Sequence, residues 1–142
     1  MLTIDLAESP QDRAAVFAIR GAVFVAEQGV PIAEEWDSRD LAADHLLARA
    51  GGVPVGTGRL VTEGERGVLG RLAVLPEARG TGAGAALVRA VEDRARKLGL
   101  GAVELHAQTR ALDFYERLGY TARGEEFMDA GIVHRDMYKL LA

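Results

Sequence analysis

The sequence predicts an α/β fold of the α+β kind: a mixed, mostly antiparallel sheet with helices on its faces. Three observations carry the prediction. Apolar segments at residues 45–50, 53–62 and 68–75 follow one another across glycine-bearing turns, which is hairpin order and antiparallel pairing. An amphipathic segment ending at Leu98 separates residues 68–75 from a strand at 102–107, and a helical crossover makes those two strands parallel. Two strands at residues 121–127 and 132–140 close the chain around a turn at 129–131. The order is β–α–β–β–β–α–β–α–β–β. With no internal repeat and no linker, residues 1–142 are expected to form one domain.

Each element has a local cause. Residues 2–6 alternate apolar and polar, the period of a half-buried strand. Ser9 and Pro10 supply a cap and a first turn. Ala14, Phe17, Val23 and Phe24 follow close to helical spacing, and the helix runs to about Glu27 before Gly29 and Pro31 stop it. Residues 31–44 are irregular and acidic, with Glu34, Glu35, Asp37, Asp40, Asp44 and the only tryptophan, Trp36. Gly51-Gly52 makes a hairpin turn, and Gly56 and Gly58 inside the next strand mark a bulge or a close backbone approach. Pro76 ends strand 68–75. The helix that follows carries Leu87, Val91, Ala95 and Leu98 on one face, and Gly99 and Gly101 cap it. A short helix at 110–118 ends at Gly119.

Composition narrows the function. Net charge is −4 and the 17 Lys and Arg residues are dispersed, so nucleic-acid binding through a basic face is not expected. The absence of cysteine removes disulfides, thiolate metal sites and a Cys nucleophile, and fits a cytoplasmic protein. No apolar run has the length of a membrane span, and the first residues lack a signal-peptide pattern. Ser9 and Ser38 lie in no nucleophile-elbow context, and the three His are too far apart in sequence to form a spaced metal pair. No metal is therefore expected.

The distinctive stretch is Arg79-Gly80-Thr81-Gly82-Ala83-Gly84 at the head of the long helix. Helix N-termini have unpaired N–H groups and partial positive charge, and glycines let a phosphate approach the backbone. The stretch therefore predicts a diphosphate-bearing ligand. Gly80, Gly82 and Ala85 also fit the dinucleotide fingerprint G-x-G-x-x-A. Against that, residues 75–79 separate the strand from the first glycine, and three strands precede without intervening helices. No Lys-Ser/Thr follows the glycines, which excludes a P-loop.

Together these residues resemble the GNAT superfamily of N-acetyltransferases. Arg79 to Gly84 matches that family's R/Q-x-x-G-x-G/A loop at every fixed position. Ala111-Leu112-Asp113-Phe114-Tyr115-Glu116-Arg117-Leu118-Gly119-Tyr120 is similar to its A-x-x-F-Y-x-x-x-G-F/Y block. A narrower likeness, to the small bacterial ElaA-type subgroup, lies in Val25-Ala26-Glu27-Gln28-Gly29-Val30-Pro31 through Asp44-His45 and in Ile132-Val133-His134. The resemblance implies a sheet whose central strands splay apart near Val74 and Leu105. It implies acetyl-CoA as co-substrate, a small-molecule or peptide amine as acceptor, and direct attack in a ternary complex. It leaves a homodimer open.

Carried over residue by residue, Arg79, Gly80, Thr81, Gly82, Ala83 and Gly84 would hold the diphosphate. Leu72, Ala73 and Val74 would line the pantetheine arm, with Gln108 and Phe114 beside it. Tyr115 would serve the leaving thiolate. A phenol of pKa about 10 protonates a thiol of pKa about 8.5 only late in the reaction or in a shifted site. Glu27, Trp36 and His106 are the candidates for the acceptor side. The base stays open among Glu27, Asp44, His45, Glu104, His106, Glu126 and His134. The acids of residues 27–44 either hold a cationic amine or form a solvated face, and Trp36 either lines the acceptor pocket or covers the core. The competing readings are an acyl-CoA-binding or sensing module without catalysis, and the dinucleotide enzyme.

Overall fold

The computed structural model describes residues 1–142. Its strands are β1 (Leu2–Leu6), β2 (Asp44–Ala50), β3 (Val53–Glu63), β4 (Arg66–Val74), β5 (Ala102–Gln108), β6 (Thr121–Asp129) and β7 (Ile132–Leu140). Its helices are α1 (Pro10–Arg20), α2 (Ile32–Glu35), α3 (Ala83–Lys97) and α4 (Leu112–Arg117). One sheet holds all seven strands in the order β1-β2-β3-β4-β5-β7-β6. Only β4 and β5, joined through α3, are parallel. The expected mixed, mostly antiparallel sheet is what forms.

The two faces are covered by different helices. On one, Leu87, Val88, Val91 and Ala95 of α3 pack with Leu46, Ala48, Leu60, Leu69, Val103 and Leu105. On the other, Val16 and Ile19 of α1 and Val23 pack with Leu47 and Ala73. Leu46 and Leu47 point to opposite faces, so β2 is buried on both sides. That is why its sequence is a continuous apolar run rather than an alternation. Each fully buried Leu or Val contributes about 1.5–3 kcal/mol over its exposed state.

Three boundaries differ from the sequence expectation. The first helix is α-helical only to Arg20; Gly21–Glu27 then winds as a wider π-type turn, with Gln28 N–H donating to Val23 O at 3.0 Å. Leu98, expected on the buried stripe, is 42% exposed. The helix ends before it, and the cap brings Leu100 inward instead, its N–H donating to Ala95 O at 3.0 Å. The helix expected over residues 110–118 splits into a 3₁₀ turn (Thr109–Ala111) and α4.

The two glycines of β3 mark both features expected of them. Thr57 pairs with Ala73 and Arg59 with Gly70, so Arg71 and Leu72 oppose Gly58 alone, a bulge in β4. A Cβ on Gly56 would lie 2.9 Å from Leu87 Cδ1, so that glycine admits α3 against the sheet. Pairing of β4 with β5 runs from Arg66↔Ala102 to Leu69↔Leu105 and stops there. Past that point the strands part, and the gap between them opens a cleft. No helix is long and apolar enough to cross a membrane.

Candidate active site

The cleft has a volume of about 510 Å³ and follows from the bulge. Arg71 takes φ +51°, in the left-handed region that side chains rarely occupy, and this turns β4 away from β5. Leu75 N–H donates to Val55 O at 2.8 Å, so by strand alternation the polar groups of Val74 point the other way, into the gap. Ala73 instead faces its partner Thr57 in β3 and buries its methyl under α1. Of the three expected pantetheine positions, Leu72 lines the cleft and Val74 offers its backbone. Ala73 is corrected to a core and ladder residue.

The glycine stretch forms an open cradle. Gly80 and Gly82 have φ of +78° and +88°, which requires glycine without strain, and nothing stands within 4 Å of either position's would-be Cβ. Thr81 Oγ1 donates to Ala78 O at 2.5 Å and fixes the loop. The first turn of α3 begins with Ala86 N–H donating to Gly82 O at 3.0 Å, which leaves the N–H groups of Ala83 and Gly84 free. Gly84 serves differently from the other two: its would-be Cβ meets Phe114 Cζ at 3.4 Å, so the glycine lets the Phe114 ring lie on the head of the helix.

Arg79 donates through Nε to Val74 O at 3.0 Å and clasps Glu27 bidentately at 2.7 and 2.6 Å. The hydrogen bond from Arg79 holds Glu27 below the usual carboxylate range. Glu27 is absent from the cleft wall and borders an adjoining surface groove that shares Gln28, Gln108 and Ile132 with it; in place of the expected acceptor side, the structure pairs it with the cradle arginine. Trp36 is corrected as well. It is 56% exposed, outside the cleft, with its ring edge-on to Phe17 at 5.7 Å. In the short α2 the inward position belongs to Glu35, and the next residue is turned outward.

Most of the acidic segment is neither solvated nor free for an amine; Glu34 alone in it lacks an ionic partner and stands exposed at the cleft. Arg20 lies on the apolar face of α1 with no exposure, and binds Glu35 at 2.6 Å and Asp40 at 2.7 Å. Arg59 joins Asp37 at 2.9 Å and Asp40 at 3.0 Å, and Arg71 reaches Glu35 O at 3.1 Å. Burial pushes the Asp40 carboxyl up, but the bonds and charge of Arg20, the Arg59 bond and the Asp37 N–H outweigh it and hold it at about 2. This network pins residues 35–40 as one wall of the cleft. Arg20 was legible in one respect: Val16, Ile19, Arg20 and Val23 share helical spacing, so an arginine sits where a core residue belongs.

Tyr115 lines the cleft at 9% exposure, edge-on to Phe114 at 5.0 Å and to Tyr120 at 5.9 Å. Burial pushes its phenol up, with no charge or hydrogen bond contributing. Gln108 lies at the cleft, but its amide bridges Gln28 and Arg110, both at 2.9 Å. His106 stands at the rim, largely exposed, 3.2 Å from Asp136. Of the candidates left open for the base, the structure brings His134 into the cleft. It is 9% exposed, lines the cleft and stacks on Phe127. The pairing of the non-consecutive strands β5 and β7 that brings it opposite Gln108 has no signature in local sequence.

Comparison with known proteins bears on this arrangement. Residues 13–141 match the family described as Acetyltransferase (GNAT) domain. A protein of Bacillus subtilis (strain 168), provisionally named an acetyltransferase, is 45% identical over 134 residues, covering 92% of this chain and 91% of its own. The crystal structure of Escherichia coli ElaA superposes with a TM-score of 0.87 at 26% identity, over 98% of this chain and 99% of ElaA. An acyl-CoA N-acyltransferase from Pseudomonas aeruginosa superposes with a TM-score of 0.85 at 28% identity, over 98% of each chain. With a family match across nearly its whole length, and with the parted strands and glycine cradle, the chain belongs to the GNAT acetyltransferase family.

Proposed function

We propose that the protein transfers an acetyl group from acetyl-CoA to a primary amine by direct attack in a ternary complex. The observation that carries the reading is the continuity of one groove. Phe114 and Tyr115 line the cleft where β4 and β5 part, and Phe114 and Val74 lie against Gly84 at the head of α3, so the cradle adjoins the cleft. The free N–H groups at the head of α3 suit a diphosphate, and Arg79 adds charge once it shares or releases Glu27. The N–H of Val74 can pair with the pantetheine arm as a sheet strand would, while its carbonyl accepts from Arg79. On this reading the thioester lies near Leu72 and Tyr115.

Tyr115 stays a neutral phenol through the physiological range, because burial raises its pKa. It therefore supplies an O–H donor, and its role is a hydrogen bond to the sulfur as the carbon–sulfur bond breaks. The cysteine-free composition supports a cytoplasmic setting.

Calorimetry with acetyl-CoA and with NAD, followed by thiol release over a panel of amines, tests the reading. Acetyl-CoA should bind, NAD should not, and at least one amine should be turned over. Absence of acetyl-CoA binding overturns the proposal. Binding without turnover of any amine supports an acyl-CoA-binding module instead.

A further inference from the structure

We propose that His134 is the base that takes the proton from the acceptor's ammonium group, an inference that rests on the acetyltransferase reading above. Its Nδ1 lies 2.7 Å from Ile132 O. A carbonyl oxygen only accepts, so Nδ1 carries the hydrogen, and in the neutral ring the lone pair is on Nε2. Nε2 has no protein partner and is not sealed from solvent, and the residue lines the cleft. Phe127 stacks on the ring at 5.9 Å and 23° and holds its direction. Gln108 stands opposite on β5, past the point where β4 and β5 part.

Most other basic groups are engaged or elsewhere. Glu34 and Asp129 border the cleft without an ionic partner, but both are exposed, as is Glu126 outside it, and a solvated carboxylate is a weaker base than an imidazole. Glu35 and Asp40 are held by Arg20, and Asp37 by Arg59 and Arg71. Glu27 is held by Arg79, Asp44 by Arg94, and Glu104 by Arg66 and Arg123. His45 is buried, with Nε2 donating to Asp40 O at 3.0 Å, and His106 is bound to Asp136 on the rim. His134 thus combines a position in the cleft, a fixed ring and an unengaged acceptor atom.

The step balances as follows. The ammonium proton passes to Nε2, and the freed nitrogen lone pair forms the N–C bond to the acetyl carbon. The C–S bond breaks, with its electron pair leaving on sulfur. The first proton passes from Nε2 through water to the thiolate, which frees Nε2 to take the second proton from the nitrogen.

The test uses the full chain and the best acceptor from the amine panel. General-base loss should lower kcat/KM of His134→Gln about 100-fold, with acetyl-CoA affinity kept within about twofold. Added imidazole should restore His134→Ala at least about tenfold, which a structural role would not allow. A loss below about threefold, or a larger loss that imidazole does not restore, overturns the assignment. Nitrogen NMR of the neutral wild-type ring gives a check that needs no variant: the proton belongs on Nδ1, and a proton on Nε2 overturns the proposal. Wild-type protein that fails to bind acetyl-CoA would sink the acetyltransferase reading and the base with it. Binding with turnover untouched in His134→Gln sinks the base alone.

Discussion

At the scale of single residues, two side chains hold most of the site's chemistry or its frame. Tyr115 is a donor whose acidity is weakened by burial, so it acts by hydrogen bonding to developing negative charge rather than by early proton transfer. Removing the hydroxyl while keeping the ring should lower kcat and leave acetyl-CoA binding intact. Tyr115→Phe is expected to lose about 10- to 100-fold in kcat, measured by thiol release. Unchanged kcat would show that the hydroxyl has no part in the reaction. Arg20 is the second. It is fully buried and neutralises Glu35 and Asp40; without it the buried Glu35 carboxylate keeps only the longer contact to Arg71 at 3.5 Å, and Asp40 keeps only Arg59. Arg20→Met should therefore cost about 3–5 kcal/mol in urea unfolding. A cost below about 1 kcal/mol would mean that the network does not form in solution.

At the scale of elements, the cradle depends on backbone conformation more than on side chains. Gly82 caps α3 at φ +88°, where a β-branched residue is strained and its side chain would project over the free N–H groups. Gly82→Val should weaken acetyl-CoA binding by at least about tenfold in calorimetry while α3 stays folded on its apolar face. Binding within twofold of wild type would place the diphosphate elsewhere. The same scale shows what sequence could and could not reveal. Strands, hairpins and α3 were legible because burial on one or two faces imposes a period on residue type, as in Leu87, Val91 and Ala95. The glycine cradle was legible because only glycine takes its φ values cheaply. The inward turn of Glu35 and outward turn of Trp36 were not, since a four-residue helix is too short to show a period. Nor was the clasp of Glu27 on Arg79, which joins residues far apart in the chain.

At the scale of the whole molecule, one wall of the cleft is a buried charge network, so the fold should respond to acid before its core does. Two groups set the sign. His45, on β2 with its ring against Phe17 of α1, is 2% exposed, and burial pulls its pKa below the ordinary 6.5. The unfolded chain then binds a proton that the fold resists, so its contribution is complete above about pH 6.5 and declines as pH falls below that value. Asp40 titrates at about 2 in the fold against 3.8 ordinarily. Its contribution is present above 3.8 and is lost as pH falls toward 2. Urea midpoints measured downward from pH 7.5 should thus hold steady, begin to fall below about 6.5, and fall further below about 4. His45→Gln keeps a donor for Asp40 O and removes the titration, so its midpoint should lose the first decline and keep the second. If the variant declines like the wild type between pH 6.5 and 5, His45 is not the group responsible. Because Asp40 bonds to both Arg20 and Arg59, the second decline should coincide with release of residues 35–40 from the sheet. Trp36 lies in that segment and reports on it directly: its fluorescence should shift in the same pH window as the second decline, and a shift confined to global unfolding would show that the wall does not come away separately.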